Sequence, residues 1–569
     1  VLDLRRLPVN AALGWRPAAL AAREEARPML GSNSWALAGS RTADGHALLA
    51  DDMHLDLRVP NLWYRVSLLW PQGGRERRMT GVTLPGAPMV VVGSNGHVAW
   101  GFTNSFGDWM DLVVLETDPA RPDLYRTPEG FRPFEHSSEV IRVRGGRPRL
   151  LDVRSTIWGP VIDKDHRGRP RALAWTAQRE EAVDLGLLGF ESADDLESAL
   201  STGAASGVPA QNLLVADDTG RIGWTIAGRI PRRFGFRGEW PSSWADGRRG
   251  WNGWLPPSEV PRIVDPPSGQ LWTANNRVLD IDRQLVLGDG GYDLGARAGQ
   301  IRDDLTRLTR ATPRDLLAIQ LDDRALFLER WRDLLLRTLT PQALAGHPRR
   351  AELRRIVATG WNGHAAIDSS AFRLVRSFRL TVFNAVLQEL VAPSHQVEPS
   401  FGYDLEQAEG PLWRAVSERP PHLLSAQFHS WDELFQSAVD AVVLRFSPRG
   451  EPLSATTWGQ ANYVLLRHPL SPALPGLSFL IDMPPHSLPG CEHTPLYQDR
   501  EWGASERMVI SPGQEAEGIF EMPGGQSGNP LSAHYRDSYP AWVRGEPAPF
   551  LPGATADRLD LTPSPRPAG

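Results

Sequence analysis

The run Gly31-Ser32-Asn33-Ser34-Trp35-Ala36-Leu37, with Asp51-Asp52-Met53-His54-Leu55 a short distance behind it, decides how this chain is read. Ser34 to Ser40 alternates as a strand, Asp44-Gly45 reads as a tight hairpin turn, and His46 to Ala50 reads as the returning strand. Ser32 therefore stands at the head of a strand, directly after a glycine. If the Gly31–Ser32 bond is cut, Ser32 carries a free α-amino group beside its own hydroxyl. Such an amine titrates near pH ~8, so it can serve as the base that an ordinary serine borrows from a histidine. A Gly-Ser pair is also a common turn, so the weight falls on what surrounds it.

Composition excludes several classes. The 569 residues carry a net charge of -6, and Lys164 is the only lysine. No basic stripe suggests nucleic acid or an anionic membrane as partner. No apolar run approaches the ~20 residues needed to span a bilayer. One cysteine, Cys491, excludes an internal disulfide framework and a multi-cysteine metal site. His486, Cys491 and His493 have no zinc-like spacing. Gly288-Asp289-Gly290-Gly291 lacks the Lys-Ser/Thr of a phosphate loop. The two commonest hydrolase signatures, His-Glu-x-x-His and Gly-x-Ser-x-Gly, are absent from the sequence.

Short alternating runs such as Leu112–Leu115, Leu213–Ala216 and Ile222–Ile226 predict antiparallel sheet from residue 32 to about 300. Thr312-Pro313 then reads as an N-cap with proline at the first helical position. Leu316, Leu317, Ile319, Leu321, Leu326, Leu328, Trp331, Leu334, Leu335 and Leu336 follow at helix-compatible intervals, with further helices near 370–390 and 431–444. After residue 450 the chain returns to proline-rich loops and short strands. The class is α+β.

Further segments stand in a recognisable order: Val59-Pro60-Asn61-Leu62-Trp63-Tyr64, Gly81-Val82-Thr83-Leu84-Pro85-Gly86, Gly93-Ser94-Asn95-Gly96-His97, and Trp100-Gly101-Phe102-Thr103-Asn104 with Gly107-Asp108-Trp109-Met110-Asp111. Gln211-Asn212-Leu213, Trp272-Thr273-Ala274-Asn275-Asn276-Arg277 and Gly525-Gln526-Ser527-Gly528-Asn529-Pro530 complete the set. Together they resemble the penicillin acylase family of N-terminal-nucleophile amidohydrolases, chiefly its β-chain, over roughly residues 32 to 550. The resemblance implies a four-layer αββα sandwich with an inserted helical region at about 301–445. It makes 1–31 the tail of an α-chain and spacer, separated by self-cleavage, and 32–569 the β-chain. It also implies a partner, the α-chain from the same precursor, and a periplasmic or secreted location.

The same resemblance implies roles. Ser32 is the nucleophile and Gly31–Ser32 the cleavage site. His54 falls where the family supports the nucleophile, by backbone and in some members by side chain. Asn104 offers a backbone N–H to the oxyanion, and Asn275 or Asn276 a side-chain amide; the sequence leaves both open. Arg297 organises that asparagine and the amine. Leu55, Val91, Val92 and Phe106 line an acyl pocket, which their character makes hydrophobic. Asp108, the carbonyl of Met110 and Asp111 are part of a structural calcium site, with a further aspartate between 280 and 293; oxygen ligands suit that hard cation. No organic cofactor is implied. The implied activity is hydrolysis of a linear amide between a hydrophobic acyl group and an amine through an acyl-enzyme, as in penicillin and cephalosporin acylases. The alternatives are an acylase of N-acyl-homoserine lactones or lipopeptides, and a catalytically silent member acting as a binding protein.

Overall fold

The computed structural model describes residues 31–398 and 406–562; the reading of 1–30 as an α-chain tail lies outside the described residues. Two strands organise the centre. β1 (Gly31–Leu37) is buried along its whole length, and β2 (Leu48–Asp56) pairs with it antiparallel, Ser32 opposite Met53 and Gly31 opposite His54. The connection between them is longer than the tight hairpin predicted. It contains a short 3-10 turn at Gly39–Arg41, and Gly39 and Gly45 come so close that a Cβ on Gly39 would lie 1.9 Å from the Gly45 carbonyl. That approach, rather than the Asp44-Gly45 turn alone, shapes the connection.

The central sheet has six strands. Gln270–Thr273 flanks β1 on one side, β2 lies on the other, and Arg507–Ile510 and Ile519–Glu521 follow; Trp502–Ala504 pairs with the end of β2. A seven-stranded antiparallel sheet packs on it, its middle formed by β3 (Val98–Asn104) and β4 (Gln211–Asp217). Leu214, Met53, Met508 and Phe520 fill the space between the sheets. A helix, α1 (Leu196–Ala205), covers the outer face of the seven-stranded sheet through Leu196 and Leu200. On the opposite face, α2 (Ala296–Arg307) and α3 (Pro313–Gln320) cover the central sheet, burying Ile301, Leu305 and Leu316 against Trp35, Leu37 and Val509. The result is four layers, αββα.

α3 starts as the sequence suggests: Thr312 and Asp315 form a reciprocal capping box with Pro313 at the first helical position. Beyond it, α4 (Glu329–Thr338), α5 (Pro348–Thr359), α6 (Ser370–Val397) and α7 (Trp431–Phe446) gather around their own core of Trp331, Phe372, Phe378 and Phe435. The helical stretch thus serves two ends: α2 and α3 are layers of the sandwich, and the later helices form a separate bundle. A further five-stranded sheet, carrying Met110–Val114 at one edge, packs Val113, Tyr125 and Trp244 into a small core of its own.

Candidate active site

Ser32 lies at the entry of β1, 4 % exposed. Its backbone N–H donates to Oδ1 of Asn275 at 2.8 Å, and its hydroxyl donates to the carbonyl of Gly31 at 2.5 Å. The hydroxyl is therefore held on the carbonyl group of the peptide bond that joins Gly31 to Ser32. Gly31 is enclosed. A Cβ there would stand 3.3 Å from Asn275 Oδ1, 3.3 Å from His54 Nδ1 and 3.4 Å from Arg297 Nη2.

Asn275 follows the strand Gln270–Thr273 and adopts φ +66°, the left-handed region that asparagine tolerates better than most residues. Its Nδ2 donates to the carbonyl of Asn104 at 2.9 Å, which leaves one amide hydrogen uncommitted. Asn276 faces elsewhere: its Oδ1 accepts from Ala274 N–H and its Nδ2 donates to the Arg277 carbonyl. The two candidates are separated by backbone conformation, and Asn276 is not the one that meets Ser32.

Arg297, on the first turn of α2, is wholly buried. It donates to the Ser32 carbonyl at 3.1 Å, to Asn33 Oδ1 at 2.8 Å and to Asn275 Oδ1 at 2.8 Å, and Asp293 stands 3.5 Å away. A buried guanidinium needs such partners. It also places a fixed positive charge beside the Ser32 nitrogen.

On the same face of the sheet His54 Nε2 meets Asp52 Oδ2 at 2.6 Å, both side chains buried, and Tyr497 stacks on the imidazole at 4.9 Å. Asn33 Nδ2 donates to Asp52 Oδ2 at 3.1 Å and so joins this pair to Arg297. His54 Nδ1 has no hydrogen-bond partner and is directed at Gly31. Burial, then the nearby Arg297 and Arg507 charges, holds the imidazole well below its usual range. Burial and the Glu506 charge push Asp52 well above the usual carboxylate range, and burial does the same to Asp51 and Glu506 behind it. Asn212 binds the layers together, its Nδ2 donating to Thr103 and Thr273 hydroxyls at 3.0 and 3.2 Å. The motif order assigns no role to Asp52 or Asn33. Period-two alternation puts Asp52 and His54 on one face of β2, a signal present in the sequence, whereas Asn33 joins them only through the β1–β2 register.

The pattern has known counterparts. Residues 3–555 match penicillin amidase. The chain belongs to the penicillin amidase family. It is 28 % identical to penicillin acylase 2 proenzyme of Pseudomonas sp. over 92 % of this chain and 67 % of that protein. It is also 28 % identical to acyl-homoserine lactone acylase QuiP of Pseudomonas aeruginosa, over 94 % of this chain and 69 % of that protein. The chain thus spans about two thirds of the length of these relatives. Its fold matches a thermostable penicillin G acylase from Alcaligenes faecalis with a TM-score of 0.69 at 19 % identity, covering 94 % of this chain and 100 % of that one.

The four residues expected at an acyl pocket are placed differently from one another. Leu55 and Val91 are half-buried and Val92 fully buried, all in the apolar cluster that contains Met53, the cross-strand partner of Ser32, and Phe102. Phe106 follows Asn104 with φ +43°, held by Asn104 Oδ1 on its N–H and by Gly290 N–H on its carbonyl. Non-glycine residues in that region mark a conformation imposed by their surroundings. Here Phe106 and Asn275 lie on the two segments that meet at Asn104. In the Gly525–Asp537 segment Gln526 bridges to the Arg65 backbone while Tyr535 is buried in a core with Trp542.

The expected calcium residues do not fit a dication. Arg233 stands between the carboxylates, Nε on Asp111 at 2.8 Å and Nη2 on Asp108 at 3.1 Å. Met110 opens the strand Met110–Val114 opposite Trp175. Among the described residues no group of three or more His, Cys, Asp or Glu is arranged to hold a metal ion. His493 instead packs its ring on Phe327 at 4.0 Å, and Cys491 is buried with its thiol pushed up to about 12 by desolvation.

Proposed function

We propose that this chain is a self-processing N-terminal-serine acylase that hydrolyses a linear amide joining a hydrophobic acyl group to an amine. In maturation the Ser32 hydroxyl adds to the Gly31 carbonyl, the C–N bond breaks, and the acyl group passes to oxygen. Water then hydrolyses that ester, leaving Gly31 as a carboxylate and Ser32 with a free α-amino group. In turnover the amine takes the Ser32 hydroxyl proton, directly or through water, while the oxygen attacks the substrate carbonyl. The amine product leaves with a proton, and a second water releases the carboxylic acid from the acyl-enzyme.

The single observation that carries this reading is the convergence of Ser32 N–H and Arg297 Nη2 on Asn275 Oδ1. Oδ1 can orient an N–H of the new amine, leaving its lone pair toward the hydroxyl. The buried guanidinium disfavours the protonated amine, which a base requires. The remaining Nδ2 hydrogen of Asn275 and the backbone N–H of Asn104 serve as oxyanion donors, placed to act where charge develops.

Met53, the cross-strand partner of Ser32, lies in an apolar cluster with Leu55 and Val91 packed against it, which supports an apolar acyl side. Relatives named for penicillin and for acyl-homoserine lactones both support the amide class and differ on the acyl chain. The relative named a proenzyme supports maturation by cleavage, and with it an α-chain partner; a periplasmic or secreted location rests on the family resemblance alone. No helix among the described residues is long and apolar enough to cross a membrane.

The test is the denatured intact mass of the complete gene product, with Ser32→Ala beside it. Two chains, the larger starting at Ser32, together with hydrolysis of chromogenic amides, support the reading. A single uncut chain, or turnover retained by Ser32→Ala, defeats it. A panel of amides graded in acyl length and aromaticity then separates the two named substrate classes.

A further inference from the structure

The loop that leads away from Asn104 and Phe106 ends in Asp108 and Asp111, and one guanidinium takes both carboxylates. Arg233 comes from the strand Pro231–Phe234, whose partner strand Gly250–Trp254 places Trp251 opposite it. Its Nε lies 2.8 Å from Asp111 Oδ2; its Nη2 lies 3.1 Å from Asp108 Oδ2 and donates to the Asp108 carbonyl at 2.8 Å. Trp251 Nε1 donates to the same Asp111 oxygen at 2.6 Å. Two donors of one hairpin therefore clamp the acidic loop. Arg233 is 9 % exposed and Asp111 2 %.

The space around Arg233 is closed on both sides of Asp108. A Cβ at Gly238 would fall 2.4 Å from Asp108 Oδ2 and 2.8 Å from Arg233 Nε, and a Cβ at Gly288 would fall 2.5 Å from the Asp108 Cβ. Asp289, a further acid on the neighbouring loop, is committed to Arg277. A calcium ion takes six to eight oxygens at roughly 2.3–2.6 Å. Here the carboxylate oxygens that would supply them already accept N–H bonds, and a dication among them would sit beside a buried guanidinium. Asp111 Oδ1 alone is left without a donor.

We infer that Arg233 is a built-in cation that does the work of a structural metal at this loop, so that the loop following Asn104 and Phe106 holds its shape without calcium. A bound ion is lost to chelators; a guanidinium covalently attached to a neighbouring strand is not. The Arg233→Met variant keeps the bulk of the stem and removes the charge. It leaves Asp108 and Asp111 facing each other with Asp111 Oδ1 free, an arrangement that repels itself unless a cation enters.

The experiment uses the complete gene product and reads metal content by elemental analysis and thermal midpoint by calorimetry, with EDTA or millimolar Ca²⁺. The wild type is expected to purify without stoichiometric calcium, and its midpoint to be unmoved by either addition. Arg233→Met is expected to melt lower and to regain midpoint with Ca²⁺, whereas Arg233→Lys stays insensitive. Stoichiometric calcium in the wild type, or a midpoint lowered by EDTA, overturns the inference. So does an Arg233→Met protein as stable as wild type and indifferent to calcium. If Arg233→Met fails to fold, the wild-type metal content and chelator response decide the matter alone. None of these readouts depends on self-cleavage or amide hydrolysis.

Discussion

Ser32 N–H donates to Asn275 Oδ1 at 2.8 Å across a separation of 243 residues. This contact joins the first residue of the proposed mature chain to a loop that reaches it only through the central sheet. Replacing Asn275 by alanine removes the proposed oxyanion donor together with the acceptor that Ser32 N–H and Arg297 share. Turnover of a chromogenic amide is expected to fall about 10²–10³-fold. The thermal midpoint should fall as well, because alanine at φ +66° is strained by roughly 1–2 kcal/mol. Asn275→Gly relieves the strain without restoring activity. Near-normal kcat in either variant removes Asn275 from the oxyanion role.

Gly31 is enclosed by Asn275, His54 and Arg297 at 3.3–3.4 Å from any Cβ. Gly31→Val is expected to slow self-cleavage by up to about 10²-fold, the scale of a small misplacement of reacting groups. The fraction of uncut chain, followed by mass spectrometry after synthesis, measures it. Cleavage of Gly31→Val at the wild-type rate would show that this space is not part of the reacting geometry.

Asp52 reaches the reacting region through His54 and, by way of Asn33, through Arg297, so it is a positioning residue. Asp52→Asn leaves the shape and changes which His54 nitrogen carries the proton. A loss of up to about 10²-fold in kcat is expected, within the range of general acid–base effects, with a displaced acidic limb of the pH–rate profile. Asp52→Glu should recover part of it. A uniform fall at all pH values with an unchanged profile would reduce Asp52 to packing.

Asp51, Asp52 and Glu506 are all held above the usual carboxylate range by burial. A carboxyl whose folded pKa is raised binds its proton more tightly in the folded state. Its contribution is full below the ordinary carboxylate range near pH ~4 and is lost as pH rises through the raised folded value. His54 is depressed, so its contribution is present above the ordinary imidazole range and is lost as pH falls through it toward the folded value. The midpoint should therefore decline on the alkaline side through the acids and on the acidic side through His54. Asp51→Asn removes one of the buried acids and should flatten the alkaline decline. Superimposable midpoint–pH curves for wild type and Asp51→Asn would end this account.

What the sequence determined by itself was local or repetitive. Alternation marked β1, β2 and β4; the Thr312-Pro313 pair marked the start of α3; and the Gly31-Ser32 step with its trailing motifs pointed to the family. Each of these depends on neighbours within a few residues or on motif order along the chain. What only the tertiary structure decided was which groups share a point in space. Asn275 and Asn276 have the same side chain, and only a left-handed backbone turns one of them onto Ser32. Asp108 and Asp111 have the spacing of cation ligands, and only the packing of a hairpin more than a hundred residues later brings Arg233 between them. Side-chain chemistry and short-range periodicity are written in the order of residues. The meeting of distant charges is not, because it follows from how sheets and loops pack once the chain is folded.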